Sequence, residues 1–183
     1  MSSQGIQKKI EVLSEKELSL TLKRLASQVL ESVNDSNSLL LLGIPTRGIH
    51  LAKVLARNLE DVAGHPIDFG SLDHTFHRDD LLSGSPRIAQ LTDLPSGVDD
   101  RNVVLVDDVI FTGRTIRAAL EALQSWGRAK RVILVAMVDR GHREVPIQPD
   151  FCGRKIITGK DELIELRLKE VDGEEGVFLR KSS

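Results

Sequence analysis

Residues 103–115 read VVLVDDVIFTGRT. Three valines and a leucine open the stretch, and a short apolar run of this kind predicts a strand buried on both faces. It ends in two adjacent carboxylates, Asp107 and Asp108, followed by the turn Thr112-Gly113-Arg114-Thr115. Ile116, Ala119, Leu120 and Leu123 then recur at helical spacing, with Gly127 as a stop. A buried strand therefore hands two negative charges and a glycine-hydroxyl turn to the start of a helix.

The same alternation extends to either side. Ser14 and Glu17 stand at capping-box spacing before Leu18, Leu22, Leu25 and Val29, which predicts an amphipathic helix over 14–33. SLLLLGI, 38–44, reads as a buried strand that PTRG breaks, and Leu51, Ala52, Leu55 and Leu59 form a second helical stripe. Residues 67–72 and RVILVAMVD, 131–139, read as further strands. The Gly-, Pro-, Ser- and Asp-rich segment 78–101 has no sustained period and reads as a long irregular loop, a kind that is usually functional or disordered. Residues 162–171 alternate apolar and charged residues as a half-exposed strand, and 172–179 read as its hairpin partner. Strand-helix-strand alternation predicts an α/β fold with a parallel sheet flanked by helices. The expectation is one domain over 1–183, with a core at about 14–140 and a small subregion mainly over 141–183.

Composition narrows the setting. Hydrophobic residues make up 40% and charged residues 28%, ordinary for a globular protein, and the net charge of -2 gives no global bias toward nucleic acid or membrane. The single cysteine, Cys152, cannot form an intrachain disulfide, and no Cys/His group has zinc-ligand spacing. The polar N-terminus lacks a signal core and no apolar run is long enough to span a bilayer, so a cytoplasmic protein without a membrane partner is expected.

In open parallel sheets, ligands sit beyond the carboxyl ends of the strands. GIPTRG, 43–48, lies at one such end, where helix amides and Arg47 can meet an anion; an ordinary turn with an exposed arginine is the alternative. Thr112, Gly113 and Thr115 can wrap a phosphate. Asp107 and Asp108 repel phosphate but suit sugar hydroxyls, or a magnesium ion held between carboxylate and phosphate. The combination predicts a phosphorylated sugar. A helix-capping and a solvated aspartate are the alternative. The stretch is neither a Walker A loop nor a G-x-G-x-x-G fingerprint. VDRGHRE, 138–144, adds Asp139, Arg140, His142 and Arg143 at another strand end; for any one of these residues a polar loop with solvated charges is the stronger alternative.

VVLVDDVIFTGRT resembles the signature of the type I phosphoribosyltransferases. Together with GIPTRGIHLA, HRDDL and MVDRGHREVPIQPDFCGRKIIT it resembles more narrowly the PyrR proteins, over about 18–178. The resemblance implies the type I phosphoribosyltransferase fold with a hood, and two activities. One is uracil phosphoribosyltransfer from 5-phosphoribosyl 1-diphosphate (PRPP), giving UMP and diphosphate; the other is RNA-binding attenuation of pyrimidine operons. It implies that Thr46, Arg47 and Gly48 hold the diphosphate and that Asp107 and Asp108 hold the ribose hydroxyls. Val109, Ile110, Phe111, Thr112, Gly113, Arg114 and Thr115 would cradle the 5-phosphate. Mg2+ would bridge diphosphate and ribose oxygens, with Asp139 as an outer-shell partner. Arg78 and Arg87 would reach the diphosphate from a closing loop, and main chain near Val138, with Arg140 beside it, would read uracil.

The resemblance further implies UMP or UTP as effectors, a pyrimidine-operon leader mRNA as partner and a homodimer or higher homo-oligomer. Lys23 and Arg24 on the first helix are the RNA-binding candidates; the solvated face of an amphipathic helix is the alternative. Three features depart from the PyrR pattern. Pro45 stands where lysine is common, His77 where tyrosine is usual, and the loop is short. They leave open a uridine-nucleotide-sensing regulator with negligible catalysis, and transfer to another base is a third reading.

Overall fold

The computed structural model describes residues 9–77, 91–159 and 161–181. In chain order these form β1 (Ile10–Ser14), α1 (Glu15–Glu31), β2 (Leu39–Gly43), α2 (Arg47–Ala63), β3 (Asp68–Ser71) and β4 (Asn102–Ile110). There follow α3 (Arg114–Gln124), β5 (Arg131–Asp139), β6 (Phe151–Lys155), β7 (Glu162–Arg167), α4 (Lys169–Asp172) and β8 (Gly176–Lys181). Five strands pair in parallel in the order β3-β2-β4-β5-β6. The stretch VVLVDDVI thus occupies the middle of the sheet.

Alternation along the strands explains the two-sided burial. Val104 and Val106 of β4 pack with Leu39 and Leu41 of β2 and Ile133 and Val135 of β5 on the face covered by α1 and α2. Val103 and Leu105 pack with Leu40, Leu42 and Leu134 on the other face, against Ile116, Ala119 and Leu123 of α3. Each such aliphatic side chain, once fully buried, contributes roughly 1.5–3 kcal/mol. A strand with two buried faces must be apolar at every position, and this is what 103–106 supplies. Ser14 caps α1 as expected: its side chain accepts from Glu17 N, and the Glu17 carboxylate accepts from Ser14 N at 2.9 Å.

The second sheet is antiparallel, in the order β1-β8-β7. Leu13, Leu166, Leu168 and Val177 join it to the core on the α1–α2 face. Two of these features differ from the sequence expectation. The alternation over 162–171 ends at Arg167, because α4 turns the chain between β7 and β8. Strand β1 was not foreseen, since its five residues carry a register irregularity and their partner lies at the opposite end of the chain.

Strand β6 was also missed, because Pro146 and Pro149 break the pattern just before it. Helix α3 is capped at Ser125, and Gly127 follows with φ +140, where an added Cβ would meet Asp99 Oδ1 at 2.7 Å. Of the irregular segment 78–101, residues 78–90 lie outside the described residues; at its far end Asp93 bridges to Ser71. Among the described residues, no helix is long and apolar enough to cross a membrane.

Candidate active site

β4 carries Asp107 and Asp108 to the carboxyl end of the sheet with the strand still paired, Asp107 opposite Ala136 and Val109 opposite Val138. Asp107 Oδ1 accepts from Asp108 N at 2.9 Å, and Asp108 Oδ1 accepts from Val109 N at 2.8 Å. The Asp107 residue is only 6% exposed. Burial, and then the charge of Asp108, push its carboxyl well above the usual carboxylate range. A buried acid with a raised pKa at the carboxyl end of a central strand makes this end of the sheet the candidate site.

The turn after β4 leads directly into α3. Gly113 sits at the N-cap with φ +88, a conformation that favours glycine, and an added Cβ would lie 2.8 Å from Val145 Cγ2. Gly113 has no side chain to cap the helix, and Arg114 N, the first amide of α3, donates to Thr112 Oγ1 at 3.4 Å, so the turn meets the positive end of the helix dipole. Thr112 lies within that turn, and its carbonyl accepts from Glu144 N at 2.9 Å, which folds the 141–150 loop against the cradle. Arg114 reinforces the closure through an ion pair with Glu144 at 2.6 Å.

The 43–48 turn packs onto the same strand end. Ile44 N donates to Val106 O at 2.9 Å, and the Pro45–Thr46 peptide is cis. Gly48 lies so close to β4 that an added Cβ would meet Val106 O at 2.4 Å and Asp107 Cα at 3.5 Å. Thr46, Arg47 and Gly48 therefore stand at the N-terminus of α2 beside the acid pair. Arg47 is engaged already: its Nη2 donates to Asp172 Oδ1 at 2.9 Å.

The end of β5 completes the rim. Ile110 pairs with Asp139, and Arg140 N donates to Ile110 O at 3.1 Å. Arg140 is 5% exposed. Its Nε donates to Thr158 Oγ1 at 3.0 Å and its Nη2 to Glu162 O at 2.7 Å. Burial lowers its guanidinium pKa, an effect opposed by Glu162, although arginine keeps its charge in either case. The guanidinium lies 4.0 Å from the ring centroid of Phe111, and His142 meets the ring edge-on at 5.7 Å. Asp139 Oδ1 accepts from Arg143 at 2.8 Å and from Gly141 N at 3.0 Å.

Thus the acid pair, the amide-lined cradle, the 43–48 turn and the Arg140–Phe111 stack converge at one sheet edge. A sequence profile of the phosphoribosyl transferase domain matches residues 11–169. The chain is 49% identical to the Bifunctional protein PyrR of Thermosynechococcus vestitus, over 95% of this chain and 96% of that one. It is 47% identical to that of a Picosynechococcus strain (94% and 97% covered) and 43% identical to that of Mycobacterium ulcerans (93% and 94% covered).

This chain belongs to the PyrR family of phosphoribosyltransferases.

In fold it matches hypoxanthine phosphoribosyltransferase from Trypanosoma cruzi, with TM-score 0.73, 17% identity and 98% and 94% of the two chains covered. A hypoxanthine-guanine phosphoribosyltransferase from Bacillus anthracis gives TM-score 0.71 at 17% identity, with 95% and 98% covered. The sheet, its flanking helices and the small antiparallel hood are thus those of the type I phosphoribosyltransferase fold.

Arg78 and Arg87 lie outside the described residues. Lys23 and Arg24 are exposed on α1, where Arg24 Nη2 donates to Gly153 O of β6 at 2.6 Å. Among the described residues, no group of three or more His, Cys, Asp or Glu side chains could hold a metal by itself. Magnesium does not need one, since it commonly takes one or two carboxylates with substrate oxygens and waters. The buried, uncompensated Asp107 fits such a cation, with Asp108 beside it.

Sequence reasoning missed Asp172, Thr158 and the carbonyl of Glu162, the groups that hold Arg47 and Arg140. No local signal could have found them, because the Arg47–Asp172 contact spans 125 residues.

Proposed function

We propose that this PyrR-family chain transfers the 5-phosphoribosyl group of PRPP to uracil, giving UMP and diphosphate, and that it binds pyrimidine-operon leader RNA to regulate attenuation in the cytoplasm. The observation that carries the enzymatic half is the delivery of Asp107 and Asp108 by the central strand into the angle between the α3 amides and the 43–48 turn. A carboxylate pair for a ribose diol, flanked by two anion sites, matches a sugar phosphorylated at both ends.

The division of labour follows from charge. The amides of Thr112, Gly113, Arg114 and Thr115 hold the 5-phosphate, with Val109, Ile110 and Phe111 leading into that turn. Asp107 and Asp108 accept the ribose hydroxyls and stabilise positive charge that grows on the sugar as the glycosidic bond breaks. Thr46, Arg47 and Gly48 receive the departing diphosphate, and Arg78 and Arg87 are further candidates for that anion. Mg2+ would be held by Asp107 or Asp108 together with substrate oxygens, with Asp139 reaching it through water, and would screen the diphosphate charge. The backbone at Val138 and the Arg140–Phe111 stack orient the uracil ring. No covalent intermediate on the protein is required.

Pro45 favours a second reading, in which uridine nucleotides act as effectors and turnover is negligible, because it brings neither a cation nor an N–H to the diphosphate turn. UMP production from uracil, PRPP and Mg2+ separates the two. Turnover is expected; folded protein that binds UMP but forms none would reject the enzyme. For RNA, exposed Lys23 and Arg24 support a basic face on α1, in a homodimer or larger assembly. A gel shift with leader RNA should show tighter binding than with scrambled RNA, and tighter still with UMP or UTP. Equal affinity for both RNAs would reject the regulator.

A further inference from the structure

Arg47 stands at the first position of α2, in the turn assigned above to diphosphate, yet its guanidinium is held by a residue of the hood. Asp172, the last residue of α4, offers Oδ1 to Arg47 Nη2 at 2.9 Å and Oδ2 to Leu168 N at 2.9 Å. The pair is partly shielded, with side chains 29% and 16% exposed. Arg47 Nε is buried and has no acceptor among the described residues. Near the pair, His50 Nδ1 of the same α2 turn lies 3.9 Å from Glu170 of α4.

This is half of the contact that a guanidinium makes best. Arginine prefers two parallel N–H donations to one oxyanion group, and here a single carboxylate oxygen takes one of them while Nε–H goes unanswered. A diphosphate has enough oxygens to take both and carries more charge. With Asp172 in place the carboxylate and the phosphoryl oxygens would share one cation at contact distance, and their like charges would repel.

We infer that Asp172 competes with diphosphate for Arg47. A ligand that carries diphosphate displaces Asp172 and frees α4 from α2, whereas a nucleoside monophosphate leaves the ion pair intact. The inference rests on the reading that Arg47 receives the diphosphate. Asp172 is then a positioning residue: it acts on the substrate only through Arg47. β7 extends the consequence, because its first residue, Glu162, holds Arg140 through its carbonyl, while Leu168, just past its last residue, is held by Asp172. The diphosphate side and the base side of the site thus share one strand of the hood.

The test is equilibrium binding of PRPP, inorganic diphosphate and UMP, each with Mg2+, to the full-length protein and to Asp172→Asn and Arg47→Gln. Asparagine keeps an acceptor for Leu168 N and removes the charge. Asp172→Ser, which is too short to reach Arg47, guards against a fold-specific effect of asparagine. Both Asp172 variants should bind PRPP and diphosphate about two- to tenfold more tightly, with UMP affinity within about twofold of the parent. In turnover, KM for PRPP should fall while kcat changes less. Hydrogen exchange at 168–172 should rise with diphosphate and not with UMP. Unchanged or weaker diphosphate binding in the Asp172 variants, with Arg47→Gln clearly impaired, would overturn the competition and leave the role of Arg47 standing. If Arg47→Gln also binds diphosphate normally, the assignment of Arg47 falls as well.

Discussion

The carboxylates of this molecule live under two opposite regimes. In the hood, three acids are matched by cations. Glu165 meets Arg167 at 3.1 Å and Arg180 at 2.9 Å, Glu174 meets Lys9 and Arg167, and Asp172 meets Arg47. The hydrogen bond from Lys9, and then that from Arg167, hold the Glu174 carboxyl below its ordinary range. At the end of β4 the reverse holds. Asp107 is buried, its neighbour is another acid, and its carboxyl is pushed up rather than down. Asp139, one strand away, shows what compensation looks like at that same edge, because Arg143 closes on it at 2.8 Å. Of these hood acids Asp172 reaches the core, through Arg47 of α2, while Glu165 and Glu174 tie together the hood's own strands. Asp107 has no such cation beside it, and on the reading proposed above that gap is where the substrate binds.

The largest effect should come from removing the uncompensated acid. Asp107→Asn should lower UMP formation by about 100- to 1000-fold, the usual loss when one group facing transition-state charge is removed. Wild-type turnover would end its assigned role. The same variant should be more stable without ligand, and the sign follows from linkage. The folded carboxyl titrates above its unfolded value, so between those two pH values the native state holds more protons than the unfolded one. Stability therefore falls as pH rises through that window, and Asp107→Asn removes the loss. Thermal melts from acid to neutral pH should show the Tm advantage of the variant growing with pH. A variant that melts lower at neutral pH would show that Asp107 is compensated after all.

Arg143→Gln tests the comparison from the other side, by turning a compensated acid into an uncompensated one. Asp139 is buried and Arg143 is partly shielded, with side chains 7% and 12% exposed, and breaking a buried pair by removing one partner typically costs 3–5 kcal/mol. Arg143 also donates to Ile147 O at 2.7 Å and to Phe111 O at 2.7 Å, so the 141–150 loop should loosen over the cradle as well. Chemical denaturation should register a loss of about 3 kcal/mol. A loss below about 1 kcal/mol would mean that water replaces the guanidinium without difficulty.

The contrast also explains what could be read from sequence. The strand end was legible because everything it needs is contiguous: apolar 103–106, acids at Asp107 and Asp108, glycine at Gly113 and a helical stripe from Ile116. Burial on both faces forces that composition, so pattern and fold are tied. The hood is different. β1 pairs with β8 from the opposite end of the chain, and Leu13 is buried in register with Val177. Its ion pairs join residues that no period relates, such as Lys9 with Glu174 and Arg47 with Asp172. The site divides in the same way. The acid pair, the cradle turn and the 43–48 turn announce themselves locally, whereas the anchors of Arg140 at Thr158 and Glu162 depend on where β7 docks.

The smallest effect should come from the hood itself. Arg167→Gln removes a cation shared by Glu165 and Glu174, whose side chains are 30% and 37% exposed. Exposed pairs of this kind are worth about 0.2–1 kcal/mol, and Glu165 keeps Arg180 while Glu174 keeps Lys9. Redundancy therefore predicts a loss under about 1 kcal/mol that shrinks further in high salt, where the Debye length falls to about 3 Å at 1 M. UMP formation should hold near the parental rate, because Arg167 lies on β7 away from the acid pair. A salt-independent loss of several kcal/mol would place the hood acids under the same regime as Asp139, with their cations buried in effect. Solvent access, rather than pairing, would then be what distinguishes the hood from the strand end.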